Sequence, residues 1–190
     1  MKFIKTDIPD LIICEPEIFG DDRGYFMETF RADRLQEFLG FNISFCQDNE
    51  SSSTFGVLRG MHYQLPPFAQ TKLIRVMEGV VWDVVVDIRK GSPTFGKQMC
   101  IELSGENKRQ LFVPRGFAHG FVVISDFARF AYKVDNYYSR EHERGIAFND
   151  KELNIDWKVP KEKLKLSQKD TEQSPFKEAE YFDYNTNLYV

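Results

Sequence analysis

Between Gly56 and Gln64 the chain reads Gly-Val-Leu-Arg-Gly-Met-His-Tyr-Gln, which places a cation (Arg59), a histidine (His62) and an amide (Gln64) within six residues. Lys72 follows, leading the apolar run Leu73-Ile74-Arg75-Val76-Met77. Burial and nearby cations both favour a neutral imidazole. A neutral imidazole can act as a general base if a carboxylate orients its second nitrogen. Arg59 and Lys72 could stabilise an oxyanion or hold phosphates. A phenol, Tyr138 in Asn136-Tyr-Tyr138, could supply an acid. Strict strand alternation sets Arg59 and His62 on opposite faces. For both to line one cavity a bulge is needed between them, and Gly60 is the place for it.

The same stretch carries part of a metal-binding pattern of cupin barrels, Gly-x5-His-x-His-x(3,4)-Glu, followed later by Pro-x-Gly-x-x-His. Gly56 and His62 fit the first half, and Pro114-Arg-Gly116-Phe-Ala-His119 fits the second. Gln64, however, stands where the second histidine belongs, and Phe68 and Ala69 where the glutamate belongs. A catalytic zinc-type site needs about three protein ligands. The pattern therefore predicts the barrel without the metal.

These residues need strands to hold them. Runs at 71–77, 79–88, 97–103, 109–113, 118–125 and 127–134 are rich in Val, Ile, Phe and Tyr and are separated by Gly, Pro or Asn. Short strands at steady spacing predict a mostly β sandwich or barrel. Residues 11–19 read as a strand broken at Pro16, 20–24 as a turn, and 25–30 as a strand with Phe26, Glu28 and Phe30 on one face. Leu35, Phe38 and Leu39 predict a helix over 31–39 that stops at Gly40. Ile43–Asp48 reads as a strand, Asn49–Thr54 as a polar loop, and 150–190 as a less regular segment whose lysines form a solvated face.

The 190 residues are 42% apolar and 15% aromatic, enough for the core of one domain spanning 1–190. The net charge of −4, with both signs dispersed, gives no nucleic-acid footprint. No apolar run is long enough for a membrane helix or a signal peptide. Cys14, Cys46 and Cys100 are irregularly spaced and predict reduced, mostly buried thiols in a cytoplasmic protein.

Taken together, Gly56–Gln64, Phe19–Gly24, Val86–Gly96, Glu106–Gln110, Pro114–Phe121 and Asn136–Ser139 resemble the dTDP-4-dehydrorhamnose 3,5-epimerase family, over residues 3 to 170. The resemblance implies an antiparallel cupin jelly roll with a few short peripheral helices, and no metal or cofactor. It implies a homodimer that exchanges N-terminal strands, and a nucleotide-sugar substrate, dTDP-4-dehydro-6-deoxy-D-glucose, inverted at C3 and C5. It further implies His62 as the base, Asp170 as its orienting carboxylate, Lys72 as the enolate's cation and Tyr138 as the acid on the opposite face. Arg59, His119, Gln47 and Asn49 would line the pocket, and Arg23, Phe26 and Glu28 would reach into the partner's site to hold the nucleotide.

Three rival readings share parts of this pattern. A C3-only epimerase or ketoisomerase acting on a related dTDP-sugar would use the same barrel and base. A non-catalytic sugar-nucleotide binder has no need of His62, Tyr138 and a carboxylate together. A metal-dependent cupin enzyme is disfavoured by Gln64 and the missing glutamate.

Overall fold

The computed structural model describes residues 1–189; Val190, the last residue of the expected domain, lies outside them. In chain order the strands are β1 (Lys2–Lys5), β2 (Ile12–Glu15), β3 (Ile18–Asp21), β4 (Gly24–Met27), β5 (Gln47–Thr54), β6 (Leu58–Gln64), β7 (Lys72–Glu78), β8 (Val80–Asp87), β9 (Arg89–Lys90), β10 (Gln98–Ser104), β11 (Gln110–Val113), β12 (Phe117–Val123), β13 (Phe127–Val134), β14 (Glu143–Gly145) and β15 (Phe182–Asp183). Two short helices, α1 (Ala32–Leu39) and α2 (Gln168–Thr171), sit at the periphery.

Two antiparallel sheets make the jelly roll: a six-stranded sheet in the order β1-β2-β11-β7-β13-β5 and a five-stranded sheet in the order β10-β8-β12-β6-β14. The core between them is built from Ile74, Val76 and Phe130 on one side and Val81, Val85, Phe121 and Val123 on the other. The outer face of the five-stranded sheet (Leu58, Met61, Val84, Val86) is covered by Ile146, Phe148, Trp157 and Phe176 from the later part of the chain. β8 is therefore buried on both faces, which is why it reads as a near-continuous apolar run, broken by Asp83. The outer face of the six-stranded sheet packs Leu73 and Phe112 under Leu35 of α1, with Phe38 and Leu39 at the margin. Gly40 ends α1 in the left-handed conformation, φ 79°.

Residues 49–54 are not a loop. They continue β5, paired along its whole length with β13. Gln47, Asn49, Ser51 and Ser53 turn inward while their neighbours face outward. The inward side meets a polar cavity instead of apolar core, so the composition looks like a loop although the backbone alternates as a strand. The turn at 20–24 joins β3 and β4 into a hairpin that forms its own two-stranded sheet. β1 and β2 pair with each other and β2 with β11, all within this chain. Of the N-terminal strands, the β3–β4 hairpin alone stands apart from the jelly roll. Cys14 is buried, and burial pushes its thiol up to about 12. Cys100 is half-buried, and Cys46, which precedes β5, is exposed. Among the described residues no helix is long and apolar enough to cross a membrane.

Candidate active site

β6 carries the bulge that its sequence demands. Against β12, His62 pairs with His119 and Arg59 with Phe121, so β6 holds one more residue than its partner between these points. The extra residue restores the phase: Leu58, Met61 and Tyr63 pack outward into the apolar layer, while Arg59 and His62 both face the space between the sheets. Gly60 makes this possible. Its φ is 132°, and a Cβ there would lie 2.4 Å from Gly120 Cα and 2.9 Å from the His119 carbonyl oxygen.

Arg59 and His62 open into a cavity of about 440 Å³ that is also lined by Asn49, Lys72, His119, Phe121, Tyr132, Lys169 and Asp170. The walls come from different sheets. His62 and His119 stand on the five-stranded sheet, and Asn49, Lys72 and Tyr132 on the six-stranded one. Asp170, from α2, closes one end, with its carboxylate Oδ1 2.7 Å from His62 Nε2. The contact is close, although the carboxylate lies off the line of a well-directed N–H bond. Ser167, which caps α2, donates from Oγ to Asp170 Oδ2 at 2.6 Å. The Gly60 N–H adds a longer bond to Oδ1 at 3.4 Å. Burial alone would raise the Asp170 pKa; the close contact with His62 and the Ser167 bond outweigh it and hold the group below the usual carboxylate value.

Lys72 lies within the cavity, and desolvation pulls its pKa from 10.5 down to about 8, against the pull of Asp83 and Glu143. His119 forms a second histidine–carboxylate pair, its Nε2 2.9 and 3.0 Å from the two oxygens of Asp83, which is fully buried. Desolvation depresses the His119 pKa in spite of Asp83. Arg59 leans on Ser53 through Nε and Nη2, at 3.3 and 3.2 Å, and remains exposed at the mouth. Asn49 accepts from Gln47 Nε2 at 2.8 Å, and Gln47 itself is outside the lining.

Besides Gln47, four expected site residues lie away from the cavity in this chain. Tyr138 is 56% exposed and its hydroxyl donates to Glu143 Oε2 at 2.7 Å. Glu143 also pairs with Lys169. The phenol on the cavity wall is instead Tyr132, whose pKa is raised by burial. Sequence reasoning missed it because the run Phe127–Val134 reads as core, and indeed Phe130 beside it is core. Arg23, Phe26 and Glu28 are on or just after the β3–β4 hairpin, exposed and away from His62. Arg23 is tied to Asp21 and Glu28 to Arg31 at 3.5 Å.

Asp83 was equally hidden, and the available signal was a lone carboxylate inside Val80–Val86. Gln64, at the position of a cupin metal ligand, has a different task. Its Nε2 donates to the Phe68 and Tyr137 carbonyls, at 2.6 and 3.2 Å, and its Oε1 accepts the Ser139 N–H at 2.7 Å. It thereby pins the loop that bears Tyr138. Among the described residues no group of three or more His, Cys, Asp or Glu comes together that could hold a metal ion.

A cavity with an oriented histidine on one wall, and a lysine and a phenol on the other, is suited to moving protons at carbon next to a carbonyl. Known proteins agree in sequence and fold. A family model described as dTDP-4-dehydrorhamnose 3,5-epimerase matches residues 5–178. A dTDP-4-dehydrorhamnose 3,5-epimerase of Shigella flexneri is 56% identical over 182 residues, covering 96% of this chain and 99% of the relative. The crystal structure of the enzyme of that name from Elizabethkingia anophelis NUHP1 superposes with a TM-score of 0.92 at 51% identity, covering 95% of this chain and 99% of its own. A dTDP-6-deoxy-D-glucose-3,5-epimerase from Legionella pneumophila Philadelphia 1, solved in complex with dTDP-4-keto-L-rhamnose, gives 0.93 at 47% identity, covering 97% and 99%. Matched along nearly its whole length in both sequence and fold, the chain belongs to the dTDP-4-dehydrorhamnose 3,5-epimerase family.

Proposed function

We propose that this protein epimerises dTDP-4-dehydro-6-deoxy-D-glucose at C3 and C5, giving dTDP-4-dehydro-L-rhamnose in dTDP-L-rhamnose biosynthesis. The observation that carries the reading is the His62–Asp170 pair facing, across one cavity, the sheet that bears Lys72 and Tyr132. The C4 carbonyl acidifies the hydrogens on both neighbouring carbons. His62 takes the proton from one face, and the electron pair moves onto the carbonyl oxygen as an enolate. The Lys72 ammonium stabilises that oxyanion in a desolvated setting, where a cation acts strongly. Tyr132, from the opposite wall, gives its proton to the other face of the same carbon. This leaves an imidazolium and a phenolate, which reset by exchange with solvent. The cycle then repeats at the second carbon. His119, held neutral beside Asp83, and Asn49 line the sugar's pocket. Arg59 at the mouth suits a diphosphate.

In this reading residues 1–190 act as one catalytic domain in the cytoplasm, where free thiols persist. The chain works as a homodimer. Ile18, Phe19, Tyr25 and Phe26 are 48%, 55%, 57% and 66% exposed on one hairpin, a cluster that a monomer would leave wet. A partner's site would bury it and gain Arg23, Phe26 and Glu28 for the nucleotide. Light scattering is expected to give twice the chain mass, and a fully active monomer would remove this shared-site arrangement.

The reaction itself is tested by incubation with the substrate in heavy water, followed by proton NMR. Deuterium is expected at both C3 and C5. Label at C3 alone would point to a 3-epimerase, migration of the carbonyl to a ketoisomerase, and no label at all to a binder.

A further inference from the structure

The family match ends at residue 178, yet residues 182–189 reach back to the foot of the strand that bears Lys72. Phe182 and Asp183 pair as β15 with β9, and Tyr184 continues with a bond to the Lys90 carbonyl. Tyr189 then lies against Phe41, with ring centroids 4.9 Å apart, and places its hydroxyl 2.9 Å from Thr71 Oγ1. The same hydroxyl receives the Arg115 N–H at 3.3 Å. The Arg115 guanidinium lies 4.9 Å above the Tyr189 ring and donates to the Leu188 carbonyl at 2.6 Å. Its Nε donates to Asp135 Oδ2 at 3.1 Å, and Asp135 Oδ1 accepts the Thr71 N–H at 2.6 Å. The cluster closes on itself: Tyr189, Thr71, Asp135 and Arg115 each hold two of the others or their backbones.

Its location is what gives it meaning. Thr71 is fully buried and immediately precedes Lys72, the first residue of β7. Lys72 is in register with Val134 on one side and Val113 on the other. Asp135 follows Val134, and Arg115 lies just beyond Val113. The clamp therefore ties together the ends of the three strands that meet at Lys72. Through Asp135 it also fixes the start of the loop 136–142. No member of the clamp lines the cavity.

We infer that Tyr189, with Arg115, is a positioning residue: it sets the backbone of Lys72 from outside the cavity, and so controls how closely the ammonium meets the enolate oxygen. This rests on the epimerase reading for its effect on rate but not for its effect on Lys72 itself. Lys72 is faced by Asp83 from β8, Glu143 from β14, Lys169 from α2 and His119 from β12, so a small shift of its backbone changes both its hydration and its charged neighbours.

The test uses Tyr189→Phe, which keeps the ring and removes only the hydroxyl. kcat is expected to fall roughly tenfold, short of the roughly 10²-fold of a 1 Å displacement, with KM near wild type and the melting temperature lower by only a few degrees, because Thr71 Oγ1 and the Arg115 N–H lose a partner. The basic limb of the pH–rate profile is the second readout. Lys72 serves as a cation, so activity is lost as pH rises through its pKa of about 8. A loosened clamp admits water, moves that pKa toward 10.5 and carries the limb upward. NMR of protein carrying 13C-labelled lysine follows the same titration without substrate. Thr71→Val should reproduce the effect, Thr71→Ser should spare it, and Thr71→Val combined with Tyr189→Phe should cost no more than either alone. An unmoved Lys72 titration in Tyr189→Phe overturns the inference, as do additive losses in the double variant. If wild-type protein fails to turn over the dTDP-keto sugar, the epimerase reading falls while the lysine titration still decides the clamp.

Discussion

Replacing His62 by Asn is expected to lower turnover by about 10³-fold or more, within the range that loss of a positioned general base produces. Deuterium exchange at C3 and C5 should vanish with it, because the amide cannot accept a proton at neutral pH. Binding of dTDP, followed by calorimetry, should stay near wild type, since Arg59 and the polar face of β5 are untouched. The substitution is mild for the fold. Asparagine is smaller but keeps a donor for Asp170, whose carboxylate is 5% exposed and would otherwise lose its closest partner. Residual exchange at the wild-type rate in His62→Asn would mean that another group abstracts the proton.

The second large effect separates two tyrosines. Tyr132→Phe is expected to slow inversion by about 10²-fold to 10⁴-fold, the usual worth of a general acid. Proton exchange on the His62 face should persist, so NMR would see label enter with configuration retained. Tyr138→Phe should change the rate only by a few-fold, through its contact with Glu143 and the loop. Tyr132 is half-buried, and its sheet faces the one bearing His62. Tyr138 is 56% exposed and already donates its proton to Glu143. The opposite result, with Tyr138→Phe the severe variant, would return the acid's role to Tyr138 and require the loop to swing inward when substrate binds.

These two residues also show what the sequence made legible. His62 and its bulge could be read locally, because a histidine and a cation on opposite strand phases with a glycine between them leave few geometries. The strands of the barrel could be read from periodicity wherever both faces or one face meet apolar core. Legibility failed where a strand faces the cavity. β5 presents Asn, Ser and Gln to a polar interior and imitates a loop, and Tyr132 sits two residues from Phe130, which packs as core. Asp170 was reached by resemblance alone. It lies on a helix of four residues, too short for any periodic signal, and its meaning comes from a partner far away in the chain. Arg23, Phe26 and Glu28 stand on or just after a hairpin that this chain leaves exposed, so nothing in the chain's own packing ties them to the cavity.

The bond between Gly60 and Asp170 joins groups 110 residues apart in sequence. The ladders behave alike, for β2 pairs with β11, β5 with β13 and β6 with β12. Such a topology is slow to form, because long loops must close before any contact rewards them. His62 has no oriented carboxylate until α2 docks against the finished barrel. During synthesis His62 is thus made early and left without Asp170 until a segment translated far later arrives. Competence to react is a property of the closed chain as a whole, and a partly folded species would carry the histidine without the chemistry.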